Sequence, residues 1–255
     1  MSDQDLAKQI AQARQTGNQA TVELPDPRPS LAEALALQDK VFAEFGSPSV
    51  GWKVGATNEG AQKAFGLDGP FYGPIARSGV TEDGASIAKT DCVMAVEPEY
   101  AFRMSRNYPE DREEISSETI GNAVAACHIA LEVIGRCVGS DSFQNGIGLT
   151  IDFAGNSAFV VGPEIENWRD ADLVNAAVDG LADDAVINSG SGAMVMGNPV
   201  DSLVWMAKAL ADRGLHLKAG EWVSTGTCTA PVPAKAGETV TGRFGDFGSV
   251  SVRFT

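Results

Sequence analysis

Apolar and polar positions recur along this chain with two periods, and they change over as it proceeds. Leu6, Ile10 and Ala11 stand at helical spacing in an otherwise polar run, predicting a first helix over residues 3–15 that ends near Gly17. Leu24-Pro25-Asp26-Pro27-Arg28-Pro29 then runs extended, because each proline disfavours helix at the residue before it. Ser30 and Glu33 have capping-box spacing and open a helix through Leu31, Leu35, Val41 and Phe42 to about Phe45, closed by Gly46. Residues 50–57 predict a short strand with Lys53 between glycines, and residues 58–65 a short helix. Gly69 to Ile75 is turn-rich and aromatic, a loop of the kind that serves as a pocket wall or as a plain connector.

Beyond residue 76 short strands take over, so a boundary falls between residues 76 and 90. Residues 96–102 alternate: Glu97 and Glu99 project from one face, Val96, Tyr100 and Phe102 from the other. Residues 105–118 predict a surface loop and 119–127 a helix, followed by the apolar run 129–134 around Glu132. Strands follow at 158–162 and 185–188. The clearest helix starts at Asn198 as its cap, has Pro199 at its first position, gathers Leu203, Val204, Ala207 and Leu210 on one face, and stops by Gly214. Residues 221–225, 239–244 and 249–254 are strands, the last alternating Val250, Val252 and Phe254 against Ser249, Ser251 and Arg253. There is no internal repeat.

Composition narrows the functional classes. With 255 residues, 44% of them hydrophobic, the chain buries a substantial core in one large domain or two small ones. The formal charge of -15, from 34 acidic against 19 basic residues, argues against a general nucleic-acid or anionic-membrane surface. A small anionic ligand stays open, since one cation or metal reverses the field in a single pocket. Cys92, Cys127, Cys137 and Cys228 show no metal-finger spacing and read as reduced thiols of a cytoplasmic protein. Met1-Ser2-Asp3-Gln4-Asp5 has no leader character, and no apolar run reaches the ~18 residues of a membrane span, so neither secretion nor a span is expected.

The candidate chemistry rests on acids set in apolar strands. Two like charges side by side on a strand repel, and a divalent cation between Glu97 and Glu99 would relieve them; the alternative is an edge strand whose acidic face meets water. Glu132 is either an acid with its own partner or the third carboxylate, the ligand count an open Mg²⁺ or Mn²⁺ site uses. Lys53 is either a snorkelling surface residue or a pocket cation. His128, at a predicted helix end, and His216, at a surface turn, read as structural.

Gly51-Trp52-Lys53-Val54-Gly55, Val96-Glu97-Pro98-Glu99, Ala130-Leu131-Glu132-Val133, Gly197-Asn198-Pro199, Leu217-Lys218-Ala219-Gly220-Glu221, Thr225-Gly226-Thr227 and the run from Gly248 to Phe254 occur in this order. In that combination the chain resembles the 2-keto-4-pentenoate hydratase and 4-oxalocrotonate decarboxylase group of the fumarylacetoacetate hydrolase-like superfamily. The resemblance implies an α+β fold: a small N-terminal α/β portion, residues 1–80, and a larger mixed β-roll, residues 81–255, that holds the site. It implies that Glu97, Glu99 and Glu132 bind one Mg²⁺ or Mn²⁺, that Lys53 faces the substrate in a catalytic role, that Asp152 is an acidic catalytic residue near the site, and that Thr227 contacts the ligand. It also implies a homo-oligomer active on a small 2-oxo or 2-hydroxydienoic acid from the breakdown of an aromatic compound. Two stretches depart from the group's pattern: Gly135-Arg136-Cys137 stands where Asp-Ser-Arg is usual, and Ile151-Asp152-Phe153-Ala154-Gly155 where Ala-Asp-Asn-Ala-Ser is usual. The expected activity is hydration of a 2-hydroxy-2,4-dienoate, with decarboxylation second. Carbon–carbon bond hydrolysis ranks third, since hydrolytic members use a His and Glu pair, and a non-catalytic 2-oxo-acid binding protein fourth.

Overall fold

The computed structural model describes residues 1–255. Helix α1 (Asp3–Thr16) is capped by the Ser2 hydroxyl, which accepts the Asp5 N–H at 3.2 Å, and ends at Gly17, whose N–H reaches Ala13 O at 2.8 Å. Helix α2 (Leu31–Phe45) carries the full capping box: the Glu33 N–H donates to Ser30 Oγ at 3.3 Å, and the Ser30 N–H to Glu33 Oε2 at 2.8 Å. The apolar stripes of the two helices meet through Leu6, Ile10, Leu37 and Val41, and close over Phe143, Ile151 and Phe153.

Strand β1 (Ser49–Gly55), helix α3 (Glu59–Phe65) and strand β2 (Phe71–Ala76) follow. The expected loop over 69–75 is therefore corrected: from Phe71 on it is a wholly buried strand, antiparallel to β1. Pro74 is tolerated because β2 is the edge of its sheet, where a missing N–H breaks no ladder. Next come β3 (Val80–Glu82), β4 (Ala85–Ile87) and the 12-residue β5 (Val93–Met104). The helix predicted over 119–127 is also corrected. Helix α4 (Ser117–Asn122) is short, and the chain turns at once into β6 (Val124–Gly135), where Cys127 pairs with Phe102 of β5. Pairing along the whole of β5 overrides the helical preference of the alanines.

The remainder is α5 (Gly146–Ile151), β7 (Asn156–Glu164), β8 (Ala177–Ala182), β9 (Ala185–Ser191), α6 (Pro199–Ala211), β10 (Trp222–Thr227), β11 (Val232–Pro233), β12 (Thr239–Phe244) and β13 (Ser249–Phe254). Asn198 caps α6 through its side chain, as its spacing before Pro199 predicts.

Two curled sheets result, a mixed α and β architecture that fits the expected class. One has the order β2-β1-β10-β5-β6-β7-β3, with β11 also on β5; the other runs β4-β13-β12-β8-β9. Tyr100, Phe102, Leu131, Phe244 and Phe254 form the apolar core, and α6 covers it through Leu203 and Met206. The division expected at residue 80 crosses the first sheet, since β1 runs parallel to β10 and both share that sheet with β5 to β7. No helix is long and apolar enough to cross a membrane.

Candidate active site and metal centre

Strands β5 and β6 pair with Glu97 directly opposite Glu132, and the next inward residue of β5, Glu99, lies opposite Ala130. On its other side Glu99 faces Thr227 of β10. The three carboxylates gather with one oxygen from each within 4.8 Å of the others. Glu99 and Glu132 have no solvent exposure, and Glu97 is half-buried. The solvated-edge alternative thus falls away: β5 is an interior strand and its acidic face points into the protein.

Each buried carboxylate is aimed by its neighbours. Glu99 Oε2 accepts hydrogen bonds from Ser224 Oγ at 2.5 Å and from the Gly226 N–H at 3.0 Å, while its Oε1 is buried with no donor. Glu132 Oε1 accepts from Asn156 Nδ2 at 2.9 Å, and its Oε2 has only the ion pair with Lys53 Nζ at 3.2 Å. Lys53 is itself 3% exposed, which settles its two readings in favour of a pocket cation. Burial opposes its charge, but Glu132, Glu97 and Glu99 outweigh that and hold the ammonium above its ordinary range. The glycines on either side of Lys53 serve packing. A Cβ on Gly51 would stand 2.1 Å from Trp222 O of the parallel strand β10, and one on Gly55 2.8 Å from the Phe71 ring and 3.0 Å from Lys53 Nζ.

Three acids against one lysine leave the group electrostatically short of cations. Burial, then the charge of Glu132, raises Glu97 to about 7. Burial, then Glu132 and Glu97, pushes Glu99 well above the carboxylate range, against the opposing pull of Lys53 and Ser224. An unbonded buried carboxylate oxygen beside two more acids calls for a cation. The donor set is all oxygen, which suits a hard divalent ion, so the residues present fit the metal implied by the resemblance.

A cavity of about 170 Å³ opens beside this group, lined by Lys53 and Glu97 and walled by Phe71, Ile134 and Leu149, with Arg136 also on its lining. That is small against the roughly 300–1,000 Å³ of drug-sized ligand pockets, and suits a short-chain substrate. A larger groove of about 520 Å³, lined by Leu31, Tyr72 and Trp205, holds none of the acids and is not the site.

Of the residues singled out in the sequence, Lys53, Glu97, Glu99 and Glu132 come together. Asp152 does not join them; its contacts lie elsewhere. Arg14 Nε donates to its Oδ1 at 2.6 Å and the Cys137 N–H to its Oδ2 at 2.6 Å, so both oxygens are committed to holding α1 and the end of β6. The Thr227 hydroxyl donates to Thr229 O at 2.7 Å within its own turn, so its side chain is spent locally. His128 is in the middle of β6, not at a helix end, with Nδ1 3.0 Å from Gly162 O and its ring against Trp222; it lies off the cavity, as does the exposed His216. Ser224, Gly226 and Asn156, which orient the glutamates, were not singled out by the sequence reading. Thr225-Gly226-Thr227 entered only as one of the motifs that carry the resemblance.

No family model matches the chain. Among curated proteins it is 29% identical over 244 residues to a 4-oxalocrotonate decarboxylase of Pseudomonas putida, covering 89% of this chain and 87% of that one. It is 28% identical over 250 residues to a 2-keto-4-pentenoate hydratase of Paraburkholderia phymatum, covering 97% and 94%. Among solved structures, a 4-oxalocrotonate decarboxylase from Pseudomonas putida G7, complexed with magnesium and adipate, superposes with a TM-score of 0.90 at 26% identity over 99% of this chain and 97% of that one. The chain is a homologue of the 2-keto-4-pentenoate hydratases and 4-oxalocrotonate decarboxylases, with the fold of the fumarylacetoacetate hydrolase-like proteins.

Proposed function

We propose that this homologue of hydratases and decarboxylases is a divalent-metal-dependent hydratase that converts a 2-hydroxy-2,4-dienoate to a 4-hydroxy-2-oxo acid. The observation that carries the reading is the meeting of Glu97, Glu99 and Glu132 beside buried Lys53 on the wall of a small cavity. Those three glutamates hold the metal, with Mg²⁺ or Mn²⁺ as the candidate ions. A bound divalent ion supplies Lewis acidity toward the adjacent carboxylate and 2-oxygen of the substrate.

The chain's own residues do the rest. Ser224, the Gly226 N–H and Asn156 fix the glutamate oxygens, so no reorganisation is needed when charge develops. The reaction has two stages: the 2-hydroxyl gives up its proton to solvent while C5 takes one, leaving a 2-oxo-3-ene, and water then adds across C3 and C4, its hydroxyl to C4 and its proton to C3. In both stages negative charge gathers on the 2-oxygen. Lys53 Nζ, charged and buried, stabilises that oxygen and can lend it a proton. The apolar wall of Phe71, Ile134 and Leu149 keeps bulk water from weakening these interactions. Asp152 acts as a positioning residue through Arg14 and the Cys137 N–H, and Thr227 holds the turn beside Gly226.

The similarity to 4-oxalocrotonate decarboxylases makes loss of CO₂ the second reading. We place the reaction in the cytoplasmic breakdown of an aromatic compound, performed by a homo-oligomer. The pathway follows from the resemblance alone, and Val186 and Ile187, exposed on edge strand β9, support self-association. The test follows the ultraviolet absorbance of 2-hydroxypenta-2,4-dienoate with Mg²⁺ or EDTA, for wild type and Glu99→Ala, with product mass as the second readout. Metal-dependent loss of the dienol with gain of one water, abolished by Glu99→Ala, is expected. No turnover of the dienol, together with CO₂ release from 4-oxalocrotonate, would replace hydration by decarboxylation.

A further inference from the structure

Cys92 and Cys137 are neighbouring thiols that the proposed reaction does not use. Cys92 immediately precedes β5, and Cys137 follows Arg136 just beyond β6. Val93 pairs with Gly135 at that end of the two strands, and past this pair the Arg136 N–H donates to Cys92 O at 2.8 Å. The two cysteine side chains pack with Ala13 in a small buried cluster apart from the main core, and Ala20 lies against it. Each thiol is the leading influence on the other. Their mutual hydrogen bond lowers Cys92, with the Arg14 guanidinium adding to the fall, and raises Cys137, with burial adding to the rise. The pair is thus polarised, with Cys92 as the sulfur closer to thiolate and Cys137 as the one that holds its proton. Cys127 and Cys228, also free, belong to the main core.

The approach to the pair says which reagent suits it. A polar hollow of about 320 Å³ lies over the end of α1, lined by Ala13, Ala20, Gln12, Thr16 and Gln19. Ala13 and Ala20 are the residues that pack on the thiols, so one layer of small side chains separates sulfur from that hollow. The layer is the last turn of α1 and the segment after it, where the Ala20 N–H donates to Cys137 O at 2.7 Å. Helix ends open locally at little cost, and hydrogen peroxide, hardly larger than water, needs only a narrow opening.

We propose that Cys92 and Cys137 are a peroxide-reactive dithiol that closes to an intramolecular disulfide. The Cys92 thiolate attacks one oxygen of hydrogen peroxide and the O–O bond breaks. The departing oxygen takes up a proton and leaves as water, and Cys92 becomes a sulfenic acid. The Cys137 sulfur then displaces the sulfenic oxygen, which leaves as a second water with the Cys137 proton. Both thiols are oxidised and the peroxide is reduced. The new bond ties the strand of Glu97 and Glu99 to the strand of Glu132, next to Gly135 and Arg136 on the cavity lining. It depends neither on the metal nor on the reaction proposed above.

The test treats the folded protein with hydrogen peroxide, blocks the remaining thiols with N-ethylmaleimide in denaturant, and maps tryptic peptides by mass. Lysines and arginines between them place Cys92, Cys127, Cys137 and Cys228 on separate peptides. The Cys92 peptide is expected to be joined to the Cys137 peptide with loss of both thiol hydrogens, reversibly with dithiothreitol, while Cys127 and Cys228 carry the maleimide. The melting temperature should rise by about 5 °C or more on oxidation, because the cross-link restricts the unfolded chain. Cys137→Ser should show neither link nor rise, and its Cys92 sulfenic acid should be trapped by dimedone. Maleimide on both Cys92 and Cys137 after peroxide overturns the inference, as does a link that forms only in urea or that joins Cys127 or Cys228 equally. A link that leaves the melting temperature unchanged overturns the tie between the strands. The wild-type peptide map decides the matter even if Cys137→Ser fails to fold.

Discussion

Glu97 carries the sharpest consequence of crowding three acids around one lysine. Raised to about 7, it keeps a proton in the folded state over a pH range, from about 4.5 upward, in which an unfolded chain has lost it. The folded state therefore binds more protons there, and this group's contribution to stability falls as pH rises to about 7. The metal-free protein should lose melting temperature between pH 5.5 and 8 in EDTA. Mg²⁺ should raise the melting temperature more at pH 8, where it does not compete with a proton, and Glu97→Gln should flatten both trends. Lys53→Met should lower kcat about 10²-fold while Mg²⁺ binding, read by calorimetry, persists. These four residues were legible in the sequence because a charged side chain in an apolar strand has to be matched by something. Arg14 was not legible as the partner of Asp152. It is 138 residues away on a helix whose spacing says only that it is amphipathic, and no local pattern records which acid it meets.

At the scale of elements, α2 and α6 were read correctly from their caps, whereas α4 was displaced and α5 missed although Ser116 and Asn145 cap them, and strands were misread where glycine, proline or alanine gave the local signal. Ser30 and Asn198 bond to nearby N–H groups, an interaction written into a few adjacent residues. Gly69-Pro70 and Gly73-Pro74 signal turns equally locally, yet β2 exists because β1 and the apolar core beside it need a covering strand. Ser30→Ala should therefore cost about 1 kcal/mol, measured by urea unfolding. Arg14→Ala should cost more, about 3–5 kcal/mol, since it strands Asp152 as a buried unpaired acid and removes the guanidinium 4.0 Å from the Phe153 ring. Asp152→Asn separates roles by the same measurement. A loss of stability with Mg²⁺ affinity kept fits a residue that positions α1, and full stability with lost turnover would return it to the catalytic set.

For the molecule as a whole, the first sheet draws on both ends of the sequence, with β1 locked between β2 and β10. Scanning calorimetry should show one cooperative transition, and a fragment of residues 81–255, lacking β1 and Lys53, should neither fold stably nor bind Mg²⁺. The parallel pairing of Gly51, Trp52 and Lys53 with Trp222, Val223 and Ser224 also has a meaning in time. On the ribosome the acids of β5 and β6 emerge long before Ser224 and the Gly226 N–H that hold Glu99. A nascent chain thus exposes repelling carboxylates with no place to put a cation until residue 227 is out. If these acids hold a metal, its capture waits for the synthesis of β10, and a product abandoned before β10 should stay metal-free and open to proteolysis.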